Sequence, residues 1–163
     1  MNDRHAQILD VVNEYKKVEV NRLAEMLDVS QVTIRKDLDI LAERGLLDRE
    51  HGYALCRKAD DVNNKLAVRY ESKMKIAVAA AEMVSDGETI MVESGSSCTL
   101  LAEQVAKTKK DITIITNSAF IASYIRDKGN VRIILLGGEY QRETQAMVGP
   151  LLKKFANEFF VDK

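Results

Sequence analysis

Apolar residues recur at helical spacing along the first third of the chain. Ile8, Val11, Val12 and Tyr15 stand at i, i+3, i+4 and i+7, which predicts an amphipathic helix over residues 4–15. Lys16 and Lys17 close it with charge suited to a helix C-terminus. Val18-Glu19-Val20 reads as a short extended link. Val20, Leu23, Ala24 and Leu27 mark a second, shorter helix, and Asp28-Val29-Ser30 a tight turn. Ser30 suits the N-cap of the next helix, because its hydroxyl can accept from an otherwise orphaned N–H. Ile34, Leu38 and Leu41 form the buried stripe of that third helix, which Gly45 ends. Residues 46–49, a turn at Glu50-His51-Gly52, and Tyr53-Ala54-Leu55 predict a small β-ribbon.

Two short helices joined by a tight turn form a helix-turn-helix layout, in which the second helix enters the major groove of DNA. With Ile34 set at 0°, steps of about 100° put Leu38 near 40° and Leu41 near −20°, both inward. The same steps put Val32 near 160° and Lys36 near 200°, both outward, with Arg35 near 100° and Thr33 near −100° on the flanks. Gln31 lies beside them. Arg and Lys suit guanine edges or phosphates, Gln suits adenine, and a valine methyl packs on thymine. A solvated face on an ordinary three-helix bundle gives the same pattern.

Beyond a polar stretch at 58–64, read as a linker, the pattern changes. Ile76, Ala77, Ala80, Met83 and Val84 sit at helical spacing, stopped by Asp86-Gly87. Thr89-Ile90-Met91-Val92 is an apolar run short enough for a buried strand. A helix over 98–106, a strand over 112–115, a helix over 118–126 and a strand over 131–136 follow. This alternation predicts a parallel sheet covered on both faces. Ligands in such sheets bind beyond the carboxyl ends of the strands. Three polar loops fall there: Glu93-Ser94-Gly95-Ser96-Ser97, Thr116-Asn117-Ser118 and Gly137-Gly138. Gly95 allows close approach to the backbone, and Ser96 and Ser97 add hydroxyls at a helix start, an anion site. Each loop alone also reads as a serine-capped turn.

Composition narrows these readings. Apolar residues make up 46% and charged residues 30%, a globular balance. No apolar run reaches the roughly 18 residues of a membrane span, and the polar N-terminus is unlike a secretory signal. Cys56 and Cys98 offer no disulfide framework or zinc spacing, which fits a reducing cytoplasm. No metal or cofactor is expected, and neither His5 nor His51 has metal-ligand spacing. Residues 1–58 hold 10 Lys and Arg against 11 Asp and Glu, so any DNA-binding charge must be focused on one face. Cys98 falls in a helix first turn, which can lower a thiol pKa, though it reads as a packing residue.

The run from Leu23 through Ser30-Gln31-Val32-Thr33-Ile34-Arg35-Lys36-Asp37-Leu38, followed by Leu41, Gly45 and Arg49-Glu50-His51-Gly52, resembles the signature of the DeoR family of sugar-metabolism repressors. Lys36 replaces a second arginine of that signature, and Tyr53 a second wing glycine. The three loops resemble the same family's sensor domain, related in fold to ribose-5-phosphate isomerase, with Glu93 and Ser97 as mild departures. Lys75 stands where the family opens a helix with lysine.

The resemblance implies a winged helix-turn-helix domain at 1–57, a linker at 58–64 and an α/β parallel-sheet sensor domain at 65–163, incomplete at its end. Operator DNA would meet Ser30, Gln31, Val32, Thr33, Arg35, Lys36, Arg49 and His51. A phosphorylated sugar would meet Glu93, Ser94, Gly95, Ser96, Ser97, Thr116, Asn117, Ser118, Gly137 and Gly138. A homo-oligomer paired through a complete sensor domain is implied as well. Residues 158–163 read as the start of a strand with no terminal helix, so the chain reads as a truncated repressor. Two alternatives stand beside an active repressor. One is a phosphosugar isomerase-like enzyme, with Glu93 or Asp162 as general base. The other is an inactive truncated product.

Overall fold

The computed structural model describes residues 3–57, 62–129 and 131–163. The chain forms two compact units, 1–72 and 73–163. In the first, helix α1 (Asp3–Tyr15) leads through strand β1 (Lys17–Glu19) into helix α2 (Val20–Met26) and helix α3 (Gln31–Glu43). Strands β2 (Asp48–Glu50) and β3 (Tyr53–Leu55) and helix α4 (Val62–Ala67) follow. The expected apolar stripes meet in one core: Ile8, Leu9 and Val12 from α1, Leu23 from α2, and Ile34, Leu38 and Leu41 from α3. Each such aliphatic side chain adds about 1.5–3 kcal/mol on burial.

The extended link at 18–20 has a larger role than its sequence suggests. Lys17–Glu19 is the third strand of an antiparallel sheet ordered β1-β3-β2. Val18 stands opposite Ala54, and both are buried, so one face of the ribbon is pinned to the core. Of the stretch 58–64 expected as a linker, residues 58–61 lie outside the described residues and the rest belongs to α4. That helix packs on α1 and buries Leu66 and Ala67, so it groups with the first unit and not with the sensor domain expected from residue 65.

A buried acid holds α3 to α1. Asp37 is 5% exposed and accepts hydrogen bonds from Arg4 Nε at 2.5 Å, Arg4 Nη2 at 3.2 Å and His5 Nε2 at 2.9 Å. Burial alone pushes the Asp37 carboxyl up, but the bonds and charges of Arg4 and His5 outweigh it and hold it below its ordinary value.

The division between units falls within helix α5 (Tyr70–Glu82). The second unit continues with β4 (Thr89–Val92), α6 (Ser96–Thr108), β5 (Thr113–Thr116), α7 (Ala119–Ile125) and β6 (Arg132–Leu135). The strands form a parallel sheet ordered β4-β5-β6, with Ile90, Ile114 and Ile133 in register. Ala102 and Val105 of α6 and Ile121 and Ile125 of α7 pack with the sheet residues Ile90, Val92 and Ile114. Of the apolar residues expected to line the helix over 76–84, Ala77 and Val84 are buried, joined by Ala81. Ile76 and Met83 are 60% and 70% exposed, because the helix turns its small residues inward.

Two features of this unit escape the hydrophobic pattern. A hairpin of β7 (Glu139–Gln141) and β8 (Ala146–Val148) precedes helix α8 (Pro150–Ala156). Beyond α8, residues 158–163 form no assigned strand, yet they run beside the outer edge of β4. Asp162 N donates to Thr89 O at 2.8 Å, Met91 N to Lys163 O at 2.9 Å, and Thr89 N to the Asp162 carboxylate at 2.8 Å. Glu103 of α6 is also fully buried and accepts from Lys107 Nζ at 2.6 Å, Lys128 Nζ at 3.1 Å and the Tyr124 hydroxyl at 3.3 Å. Burial raises its pKa, and the two ammonium groups more than reverse that.

Asp37→Asn removes a charge that Arg4 and His5 were arranged to meet. It should lower stability by about 2–3 kcal/mol, read as a shift of the urea midpoint at unchanged slope. Glu103→Gln should cost about 2 kcal/mol, less than a fully buried pair loses, because its lysines stay partly in water. Both acids titrate lower in the fold than in the unfolded chain. Their contribution is therefore complete above the ordinary carboxylate range and fades as pH falls below about 4. Wild-type stability should drop steeply there, and the drop should be shallower in each variant.

Candidate functional site

The first candidate surface lies on α3. Ser30 caps the helix, its Oγ accepting from Thr33 N at 3.1 Å and lying 2.9 Å from Thr33 Oγ1. Ile34, Asp37, Leu38 and Leu41 fix the buried side. Gln31, Val32, Arg35 and Lys36 are exposed on the other, and Thr33 is half-buried. Val32 is 59% exposed, an aliphatic group that the fold itself does not use. Arg35 Nη2 donates to Gln31 Oε1 at 3.3 Å, one helical turn back.

Strands β2 and β3 form the adjoining wing. Their connection is the two-residue turn His51-Gly52, with φ of 30° and 88°. Positive φ at both positions matches the right-handed twist of a tight hairpin. Tyr53 already belongs to β3, so a glycine is not required there, and it carries the Lys17 ammonium 4.6 Å from its ring centroid. Arg49 pairs in register with buried Ala54, on the sheet face turned to the core side. Its guanidinium meets the Asp39 carboxylate of α3. His51 sits exposed at the wing turn.

The second candidate surface lies at the carboxyl ends of β4, β5 and β6, where all three expected loops fall. Their side chains divide into two groups. Thr116 and Ser118 are buried and serve the backbone: Thr116 Oγ1 accepts from Ser118 N at 3.1 Å, and Ser118 Oγ caps α7 by accepting from Ile121 N at 3.1 Å. Asn117 ties the loops together. Its Oδ1 accepts from Ser94 N at 3.0 Å, and its Nδ2 donates to Met147 O at 3.1 Å. Gly138 is needed for packing, since a Cβ there would stand 2.7 Å from Val148 O. Gly137 has room, its nearest contact being the Phe155 ring at 3.8 Å.

Residues 94–97 form the other group. Gly95 is the N-cap of α6 and offers no side-chain cap. A Cβ on Gly95 would meet only Cys98, at 3.8 Å from its sulfur, so the fold itself does not demand glycine. Ser96 and Ser97 are half-buried in the first turn of a 13-residue helix, where N–H groups and the helix dipole favour an anion. Beside this loop a cavity of about 390 Å³ is lined by Met91, Val92, Glu93, Asn117, Leu136 and Leu152, among others. Glu93 is exposed. Cys98 does not gain reactivity from the helix start: burial and then the Glu93 charge push its thiol up. Among the described residues no group of His, Cys, Asp and Glu is arranged to hold a metal ion, and no helix is long and apolar enough to cross a membrane.

Sequence reasoning missed Asp37 and Glu103 as buried ionic hubs and Asp39 as the partner of Arg49. For Asp37 there was a signal: on the helical wheel it falls at about −60°, on the inward side. For Glu103 the only signal was its place among apolar residues of α6.

Comparison with known proteins gives the two units distinct matches. Residues 4–59 match the DeoR-like helix-turn-helix domain, and residues 68–163 match the DeoR C terminal sensor domain. The transcriptional repressor AccR of Agrobacterium fabrum is 30% identical over 99% of this chain and 64% of its own. The L-fucose operon activator of Haemophilus influenzae is 35% identical over 93% of this chain and 61% of its own. The glycerol-3-phosphate regulon repressor of Escherichia coli is 31% identical over 98% and 64%. The chain thus spans less than two thirds of the length of these curated relatives. With both domain models matched in order, the chain belongs to the DeoR family of transcriptional regulators.

Proposed function

We propose that this chain is a DNA-binding transcriptional regulator, a repressor of a sugar-utilisation operon that a phosphorylated sugar releases. The observation that carries the reading is the outward face of α3. Val32, Arg35 and Lys36 stand exposed there beside a wing, on a helix whose rotation is fixed by buried Asp37. The first unit has no surplus of positive charge, so these two cations carry the electrostatic load. Ser30, Gln31 and Thr33 at the helix start, and His51 at the wing tip, complete the proposed contact surface. A two-fold pair of chains would set two such helices on successive half-sites.

For the effector we propose residues 94–97. A phosphate carries up to two negative charges and accepts several hydrogen bonds at once. The uncapped start of α6 supplies N–H donors, Ser96 and Ser97 supply hydroxyls, and Gly95 leaves space that the fold does not require. Glu93, at the mouth of the adjoining cavity, is suited to sugar hydroxyls. Thr116, Asn117, Ser118 and Gly138 support the loop from behind, and Gly137 leaves room at the third strand end. The named relatives include a glycerol-3-phosphate regulon repressor and an L-fucose operon activator, which favours a small polyol or sugar phosphate.

Arg35→Ala and Lys36→Ala should each weaken operator binding by about 1–3 kcal/mol where the side chain meets a base edge. Fluorescence anisotropy titrations read this directly, and wild-type affinity in both variants moves the binding surface elsewhere. Gly95→Val should abolish binding of sugar phosphates in calorimetric titration, because the added branch fills the approach to the α6 N–H groups. DNA affinity should stay at the wild-type level. Equal heats from the variant and the wild type exclude residues 94–97 as the effector loop.

A further inference from the structure

The wing arginine does not point freely into solvent. Arg49 pairs with buried Ala54 in the ribbon, which sends its side chain to the core side of the sheet, and there it meets Asp39. Asp39 stands in the middle of the surface proposed to meet DNA. On the wheel that puts Ile34 at 0°, it falls at about 140°, between Arg35 and Val32. Its side chain is 59% exposed, and that of Arg49 is 31% exposed. The face therefore carries an acid among its cations, and the wing carries a cation turned toward that acid.

We propose that Asp39 is an affinity-setting residue, holding and neutralising the wing cation Arg49 on the DNA-facing side of α3. The proposal rests on the DNA-binding reading above. An unpaired carboxylate at this position would face phosphates and repel them, so Arg49 screens Asp39 as much as Asp39 restrains Arg49. The two act as one neutral unit, so Arg49 adds no net charge toward DNA. Arg49 is then not a phosphate contact in the wild-type chain, unlike Lys36, which is exposed on the same face. An exposed ion pair is weak and shifts an equilibrium by no more than about five-fold. Asp39 thus trims affinity and leaves the fold unaffected.

Salt dependence separates this role from a structural one, because each phosphate newly neutralised adds about 0.9 to the slope of log affinity against log salt. The test uses the 163-residue chain and a labelled random-sequence duplex of about 20 base pairs, whose binding is electrostatic. Asp39→Asn should tighten binding several-fold at low salt and steepen the slope by about 0.9. Asp39→Asn combined with Arg49→Ala should return both to wild-type values. An unchanged slope in Asp39→Asn, or a double variant that binds with a flatter slope than wild type, overturns the proposal. Binding by the wild type alongside either result leaves the DNA-binding reading standing, whereas no binding by any of the three chains takes both down. Thermal unfolding of each variant at the wild-type midpoint ensures that the slopes report charge and not loss of structure.

Discussion

A carboxylate withdrawn from water between two helices must find cations or lose its charge. Asp37 finds them on α1, where Arg4 and His5 both reach it. Hydrophobic burial of Ile34, Leu38 and Leu41 supplies more free energy, but it is non-directional, whereas hydrogen bonds to a carboxylate specify direction. Three hydrogen bonds to one carboxylate add that direction to the packing. The rotation of α3, and with it the direction of Val32, Arg35 and Lys36, follows from a contact on the opposite side of the helix. The composition of the surface is thus decided in the core.

The second unit applies the same logic with neutral groups. Backbone donors and acceptors at the ends of parallel strands need partners when they are shielded from water. Thr116, Asn117 and Ser118 meet that need for the loop after β5, and Asn117 extends it to the loop after β4 and to β8. Thr116, Asn117 and Ser118 thus brace the loops in which they stand. What they brace is the loop that leads into α6, a helix that no side chain caps.

Most of the fold was legible in the sequence because its helices and parallel strands are long enough to show their periods. Ile34, Leu38 and Leu41 gave both the position and the orientation of α3, and Ser30 gave its start. The β7–β8 hairpin and α8 were not legible, since β7 is exposed throughout and α8 buries no residue, so no apolar stripe marks them. The helix stripe at 76–84 was read in part: Ala77 and Val84 are buried as expected, whereas Ile76 and Met83 are exposed. Large residues outweigh alanines in any hydrophobic pattern, yet Ala77 and Ala81 are buried. Ionic partners such as Arg4 with Asp37, or Arg49 with Asp39, join residues far apart in the chain, and periodicity says nothing of such pairs. The loops of the second unit were located correctly, but their division into scaffold and open groups depends on hydrogen bonds that only coordinates contain.

The strap along β4 has a consequence for synthesis. Thr89 takes its edge partner from Asp162, 73 positions later in the chain. A ribosome adding about 5–20 residues per second makes those positions in roughly 4–15 s. The whole of β5 is made before Asp162, so β4 can meet β5 while its own outer edge is still uncovered. For those seconds the nascent chain displays a row of unpaired amides on an apolar strand, the template on which strangers add. The order in which the residues are joined, and not only their final arrangement, gives this protein a window in which it depends on the company it keeps.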